Sequence, residues 1–315
     1  MAYSSGGLIA ASDYNGFVGT ATQSGTINYV WSTGNGSTGY GQSALSQAAS
    51  SGGTVTAAQW ATAINTLNSI STHQSGSGTG IGAPTAGGLI AYLSTFGSSI
   101  STVNTNHLNF NSQGATTTGT VYSPNFTAAN GASAQTFTIT RTVTFASGDA
   151  ARYFFNAGGQ LNFFITSVTV GDGTSRSTDL QTLLATNFST LAAFRATTNS
   201  GRGGTGGTVN TNNTSFGYYN LTTTAQNIVQ ITSTTSGYTG DYVILAAQSN
   251  GAQGSNADTG SVITFTVTIY SAARTDPTLG AQFNDSINIT PNHRIDIVYP
   301  ETTNLTSSWG TPTIA

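Results

Sequence analysis

The chain contains no cysteine, which excludes a disulfide scaffold, a thiol nucleophile, an iron–sulfur cluster and Cys-ligated zinc, and leaves the redox state of its compartment unread. It has no lysine either: all seven basic side chains are arginines, set against ten acids of which only Glu301 is a glutamate. Charged residues make up 5% of the chain and the net charge is −3, where an ordinary globular protein is about a quarter charged. No basic stripe is available to neutralise phosphates, so neither nucleic acid nor a membrane is an expected partner. No apolar run approaches the ~18 residues that span a bilayer. The opening MAYSSGGLIAASDYNG lacks the basic and long apolar regions of a signal peptide, so the expectation is a soluble chain not exported by that route.

What is present suffices for a core: 37% hydrophobic and 10% aromatic residues with only 6 prolines read as a folded protein. Solubility falls to neutral groups, with 39 glycines, and Thr and Ser supplying close to a third of the residues. A length of 315 residues favours two or three domains. The charges mark a boundary: residues 1–140 hold one ionic side chain, Asp13, besides His73 and His107, and the other sixteen charges begin at Arg141. So neutral a region resists self-association poorly. Residues 1–112 are therefore expected to form a helical assembly and docking region, and 113–315 a β-sandwich domain.

In TVTAAQWATAINTLNSISTHQ, Thr56 suits an N-cap, and Trp60, Ile64, Leu67 and Ile70 recur at spacings of four, three and three, a helical stripe. After the break SGSGTGIGAPTAGG, the residues Leu89, Leu93, Phe96, Ile100, Val103 and His107 recur at four, three, four, three and four, a near-heptad seam. Two uses of these stripes are open: a small oligomerisation seam ending at His107, or an intrachain helical hairpin.

From about residue 115 the period becomes two. Phe137, Ile139, Val143 and Phe145 share a face with Arg141, opposite Thr136, Thr138, Thr140, Thr142 and Thr144; Ile263, Phe265, Val267 and Ile269 likewise oppose Thr264, Thr266 and Thr268. Threonine suits a solvated pleated face through its β-branch and hydroxyl. With QLNFFITSVTV, NIVQITST, YVILAAQ and HRIDIVY as further strands, the expectation is α+β, mainly β: an antiparallel sandwich, jelly-roll-like or another Greek key. One covering helix is expected in STDLQTLLATNFSTLAAFRA, capped by Ser177 or Thr178, with Asp179 in its first turn and Leu180, Leu183, Leu184, Leu191 and Phe194 on its stripe. The stretch SGRGGTGGTVNTNNTSFG has no lysine for a P-loop and reads as a long surface loop.

Catalytic constellations are not visible. Paired-carboxylate chemistry would have to be built from Asp alone. Of the histidines only His293 has acids nearby, Asp285 and Asp296, and alternation puts Asp296 on the opposite strand face, so His293 reads as a hydrogen-bonded surface or interface residue. GDG at 171–173 and SNADTG at 255–260 read as turns and not calcium loops. No cofactor or metal is expected, and no enzymatic activity.

The blocks SGGLIAASDYN, VWSTGNGSTGYGQS, TVTAAQWATAINTLNSISTHQSG, ARYFFNAGGQLNFFIT, GYYNLTTTAQNIVQIT, YTGDYVILAAQSNGAQG and SVITFTVTIYS resemble a group of virion structural proteins of tailed phages, chiefly phages of cyanobacteria and marine bacteria. The resemblance implies a non-enzymatic tail-, neck- or fibre-associated component, located in the virion, with copies of itself and other virion proteins as partners. It also implies an N-terminal helix carrying charges; the glycines in DYNGFVGTATQSGTINYV argue against a helix there. Two other functions stay open: a head decoration protein, or a receptor or adhesin module that binds host surface polysaccharide. For the second, the glycan-contact candidates are Tyr218, Tyr219, Tyr238, Tyr242 and Trp309.

Overall fold

The computed structural model describes residues 11–48, 54–84, 93–129, 133–188, 193–201, 206–274 and 285–315. Four helices come first: α1 (Ala11–Val18), α2 (Ile27–Trp31), α3 (Ala57–Ser75) and α4 (Leu93–Thr105). At the start of α3, the Thr56 side chain accepts from Gln59 N while the Gln59 side chain accepts from Thr56 N, and the helix ends at Gly76 with φ 81°. The reciprocal cap satisfies two orphan amides, and the left-handed turn suits a residue without a Cβ. The stripe Trp60, Ile64, Leu67 and Ile70 is buried, as are Phe96, Ile100 and Val103 of α4. Trp60 meets Phe96 edge-on at 5.7 Å and Tyr14 of α1 at 5.2 Å. The stripes thus close on one another inside the chain, the intrachain alternative. Leu89 lies outside the described residues; Leu93 opens α4; His107 lies beyond the helix, its Nε2 3.0 Å from Ser37 Oγ.

A helix does form where the glycines argued against one. The α1 segment carries Gly16 but buries Ala11, Tyr14 and Val18, and this packing outweighs the propensity cost of about 1 kcal/mol for one glycine. Residues 19–26 then turn the chain into α2.

From residue 113 the elements are β1 (Gln113–Thr117), β2 (Phe126–Ala128), β3 (Gln135–Thr144), α5 (Gly148–Asn156), β4 (Gln160–Val170), α6 (Ser175–Phe188), β5 (Gly207–Asn212), a 3-10 turn at Tyr218–Asn220, β6 (Gln226–Ser233), β7 (Tyr242–Ser249), β8 (Val262–Ser271), β9 (Ile287–Pro300) and β10 (Thr313–Ile314). Two antiparallel sheets result. The wider runs β10-β3-β8-β7-β6-β5; in the narrower, β9 pairs with β4 on one side and with β1 and β2 on the other. Read backwards from β8, three hairpin-linked strands precede a long connection that lays β3 beside β8, the Greek-key relation. The inner faces meet at Phe163 of β4 and Phe265 of β8, 6.3 Å apart, and at Phe126 of β2 stacked on Phe137 of β3 at 5.0 Å. The mainly β, α+β sandwich with its helical N-terminal part is the fold.

Three local expectations are corrected. Helix α6 starts earlier than expected: Thr174 Oγ1 accepts from Ser177 N at 3.2 Å, so Ser177 and Thr178 lie inside the helix and Asp179 sits beyond its first turn. Leu180, Leu183 and Leu184 are buried on its inner side; Phe194 lies past the helix, paired as a bridge with Leu161, and Leu191 is outside the described residues. Second, the glycine-rich stretch is not all loop, because β5 forms the edge of the wider sheet within it. Gly207 fits there because a Cβ would come within 2.8 Å of the Thr232 carbonyl. Third, α5 was not anticipated: Ser147 Oγ accepts from Ala150 N at 3.0 Å, and Ala150, Ala151, Phe154 and Phe155 turn inward.

Candidate functional site

The ionic side chains act chiefly as internal ties. Arg152 on α5 is fully buried; it donates to Thr33 O at 2.7 Å and Thr38 O at 2.8 Å, and pairs with Asp149 at 2.9 Å. One turn on, Asn156 Nδ2 donates to Thr38 O and Gly39 O. The Tyr219 hydroxyl lies 2.5 Å from Asn156 Oδ1 and 2.8 Å from the Gly36 carbonyl. The loop 33–39 is thereby fixed to the β region through its own carbonyls. Beside it, the Gln42 side chain pairs with both N and O of Thr306 at 3.0 and 2.8 Å, and Ser308 Oγ donates to Tyr40 O at 2.6 Å.

A second tie joins α3 to the end of β9. His73 Nδ1 lies 2.9 Å from Glu301 Oε1, and Glu301 Oε2 accepts from Thr303 N and Asn304 N. Burial lowers the His73 pKa against the opposing pull of Glu301. Burial raises that of Glu301, but its hydrogen bonds from His73, Asn304 and Thr303 outweigh this and hold it below the usual range. The pair is therefore a neutral imidazole donating from Nδ1 to a carboxylate, which leaves the buried Nε2 without a partner. A third tie closes the α6 end of the sandwich. Arg176 Nε donates to Ser271 Oγ at 2.8 Å, and Ser271 Oγ to Asp241 at 2.9 Å; Asp241 also pairs with Arg274. Burial raises the carboxyls of Asp241 and Asp179.

The outer face of the wider sheet has the opposite character. Thr138, Thr140 and Thr142 stand beside Thr268, Thr266 and Thr264, which adjoin Ile244, Ala246 and Gln248 of β7; Gln230 and Thr232 of β6 and Thr208 of β5 continue the rows. Tyr242 stacks on Tyr270 at 4.6 Å on the same face. No Asp, Glu or Arg occurs at the outward positions from β3 to β5. Solvated surfaces ordinarily carry about a quarter to a third charged residues; this face carries none, in keeping with a chain of which 5% is charged.

Of the aromatic glycan-contact candidates, Tyr218 and Tyr219 meet edge-on at 5.1 Å, but they form no exposed platform. Tyr218 is 0% and Trp309 1% exposed, so neither presents a ring to a sugar; Tyr218 stacks on Phe155 at 4.6 Å. Tyr219 is held by the Arg152 loop tie. The hydroxyl of Tyr238 donates to Asp285 at 2.8 Å, and burial pushes its pKa up to about 12. Only Tyr242, on the uncharged face, is free of such a tie. His293 is buried, not at the surface, with Nδ1 3.2 Å from Pro291 O; it shares the inward face of β9 with Ile289, Pro291, Ile295 and Ile297, while Asn292 and Arg294 on the other face are half-buried. Asp172 and Asp258 cap turns, accepting from Thr174 N and Ser255 N. Among the described residues no group of three or more His, Asp or Glu is placed to hold a metal ion, and no helix is long and apolar enough to cross a membrane. Compared with protein-family models, curated proteins and solved structures, the chain matches none.

Proposed function

We propose that the chain is a non-enzymatic structural subunit that assembles in many copies through the uncharged outer face of its wider sheet. The observation that carries this reading is the run of outward Thr, Tyr, Gln, Asn and aliphatic residues across five strands without an ionic group. A charged partner finds nothing there to pair with, whereas a second copy brings the same neutral, hydroxyl-bearing surface and no like-charge repulsion. Trp60, Ile64, Leu67, Ile70, Phe96, Ile100 and Val103 of the N-terminal stripes are buried within the chain, so we assign assembly to the sheet and not to that region. Employment of Arg152, Arg176, His73 and Glu301 as ties agrees with a part whose task is to hold its shape. The sequence resemblance to tailed-phage virion proteins supports reading the assembly as a virion, with tail, neck, fibre or head decoration as positions that copy number per particle distinguishes.

Light scattering of the full chain tests this at roughly 0.1 M and 1 M salt, between which the screening length falls from about 10 to 3 Å. An oligomer of unchanged size is expected at both. Thr140→Lys combined with Thr266→Lys, a cross-strand pair, is expected to dissociate it while circular dichroism stays unchanged. A monomer at every concentration and ionic strength overturns the proposal.

A further inference from the structure

Strand β3 has two unlike neighbours. On one side its ladder with β8 runs the full length, from Gln135 to Thr144. On the other, β10 takes only the end: Thr313 and Ile314 pair with Thr144 and Val143, and Ala315 exchanges two backbone bonds with Thr142, at 2.9 and 3.0 Å. Among the described residues, nothing pairs with β3 on that side before Thr142.

The ladder pattern fixes where the unused backbone groups point. In an antiparallel pair a residue's N–H and C=O leave the strand on one side, and those of the next residue leave on the other. Thr142 turns to Ala315, whereas Phe145 N donates to Ser261 O, just before β8, at 2.8 Å. The amides and carbonyls of Thr136, Thr138 and Thr140 therefore point the same way as those of Thr142, away from β8.

A cavity of about 410 Å³ lies along this stretch, bordered by residues 138–141, by 122–124 of the connection between β1 and β2, and by His293. Side chains of consecutive strand residues point to opposite faces, so four in a row border one cavity along the backbone edge. Tyr122, Ser123, Thr138 and Thr140 are exposed, and the cavity opens to solvent between them. Arg141 is drawn away from it, buried with its guanidinium 3.6 Å over the Tyr122 ring. No acidic residue borders the cavity among the described residues.

We propose that the edge of β3 at residues 136–140 is a docking site for an extended, uncharged strand of a separate protein chain, added antiparallel in line with β10. The occupant's chemistry follows from β10, which takes the adjoining stretch of the same edge with Thr313 exposed and Ile314 turned toward the ring of Tyr122 and the stem of Arg141. A partner strand of that pattern sets hydroxyl residues beside Thr136, Thr138 and Thr140, and aliphatic ones inward against Ile139. Main-chain bonds then supply affinity and the alternating side chains selectivity. A charged residue turned inward finds no accessible counter-ion. The outward positions of β3 carry threonine, not the lysine or proline that commonly guards an open edge.

Fluorescence anisotropy of labelled acetyl-Thr-Val-Thr-Ile-Thr-amide, titrated with the full chain, tests the site. Saturable binding is expected, with a dissociation constant on the order of 0.1 mM or tighter. A probe with lysine in place of Val and Ile is expected to bind at least about tenfold more weakly. Thr138→Pro removes an edge N–H that the β8 ladder does not use and is expected to weaken binding by about tenfold, whereas Thr138→Ser keeps the amide and the affinity. No saturable binding, equal binding of the lysine probe, or full affinity in Thr138→Pro overturns the proposal. Should Thr138→Pro fail to fold, residue-resolved hydrogen exchange of the unmodified protein decides: the Thr138 and Thr140 amides should slow when the probe is added, and unchanged exchange overturns the site. Slowing of the same amides when the chain is concentrated without probe assigns the edge to a second copy and overturns docking of a separate chain.

Discussion

Arg152 commits its guanidinium to the carbonyls of one loop, and its removal leaves those buried acceptors without donors. Arg152→Met keeps the apolar stem and is expected to cost about 3 kcal/mol in urea unfolding, because buried acceptors lose a charged donor and Asp149 its partner. The histidine tie sets a pH dependence. His73 has a folded pKa below its ordinary 6.5, so the unfolded chain takes up a proton that the folded one refuses, and stability is lost as pH falls below about 6.5. Glu301, also lowered, extends the loss below its ordinary 4.5. Asp179 runs the other way: its raised pKa gives stability present below the ordinary 3.8 and lost as pH rises through the folded value. The melting temperature is therefore expected to drop between pH 7 and 5, less steeply in His73→Asn, and Asp179→Asn is expected to raise it at pH 7. Scanning calorimetry across that range checks all three. None of these ties was legible in the sequence, since Arg152 meets residues more than 110 positions away and His73 meets Glu301 across 228. Arg141, by contrast, announced itself as the one cation on an otherwise apolar strand face.

The elements that the sequence revealed best are those whose signal is local. The cap at Thr56 and the stripe at Trp60, Ile64, Leu67 and Ile70 stand within one helix, and β3 and β8 carry their alternation over ten residues each. Thr56→Ala removes one half of the reciprocal cap and is expected to destabilise by about 1 kcal/mol in thermal unfolding. What periodicity concealed is set by tertiary packing. Helix α1 exists because Tyr14 finds Trp60, and β5 exists because β6 offers it an edge, although its glycine and two asparagines alone read as loop. Even Phe194, correctly spaced for the covering helix, was claimed by a bridge to Leu161 once the chain had left α6.

At the scale of the whole molecule, the change of hydrophobic period near residue 115 marks a change of element type but not a break in packing. One hydrophobic core runs from Tyr14 and Trp60 through Phe155 to Val267, and the loop 33–42 is fixed to α5 and to residues 306–308. A fragment covering residues 113–315 is therefore expected to expose the apolar surroundings of Phe154 and Trp309 and to bind a hydrophobic dye that the full chain does not; equal dye binding would speak against the single core. The same ties bear on synthesis. Gln42 grips Thr306 across 264 residues, so at ribosomal rates of about 5–20 residues per second the helical region waits roughly 13 to 50 s for its last partner. Throughout that interval it holds almost no charge to keep nascent chains apart. The loop 33–42 therefore reaches its final contacts only after residues 306–308 have been synthesised, and a chain truncated before residue 306 is expected to be cleaved in that loop faster than the full chain under limited proteolysis.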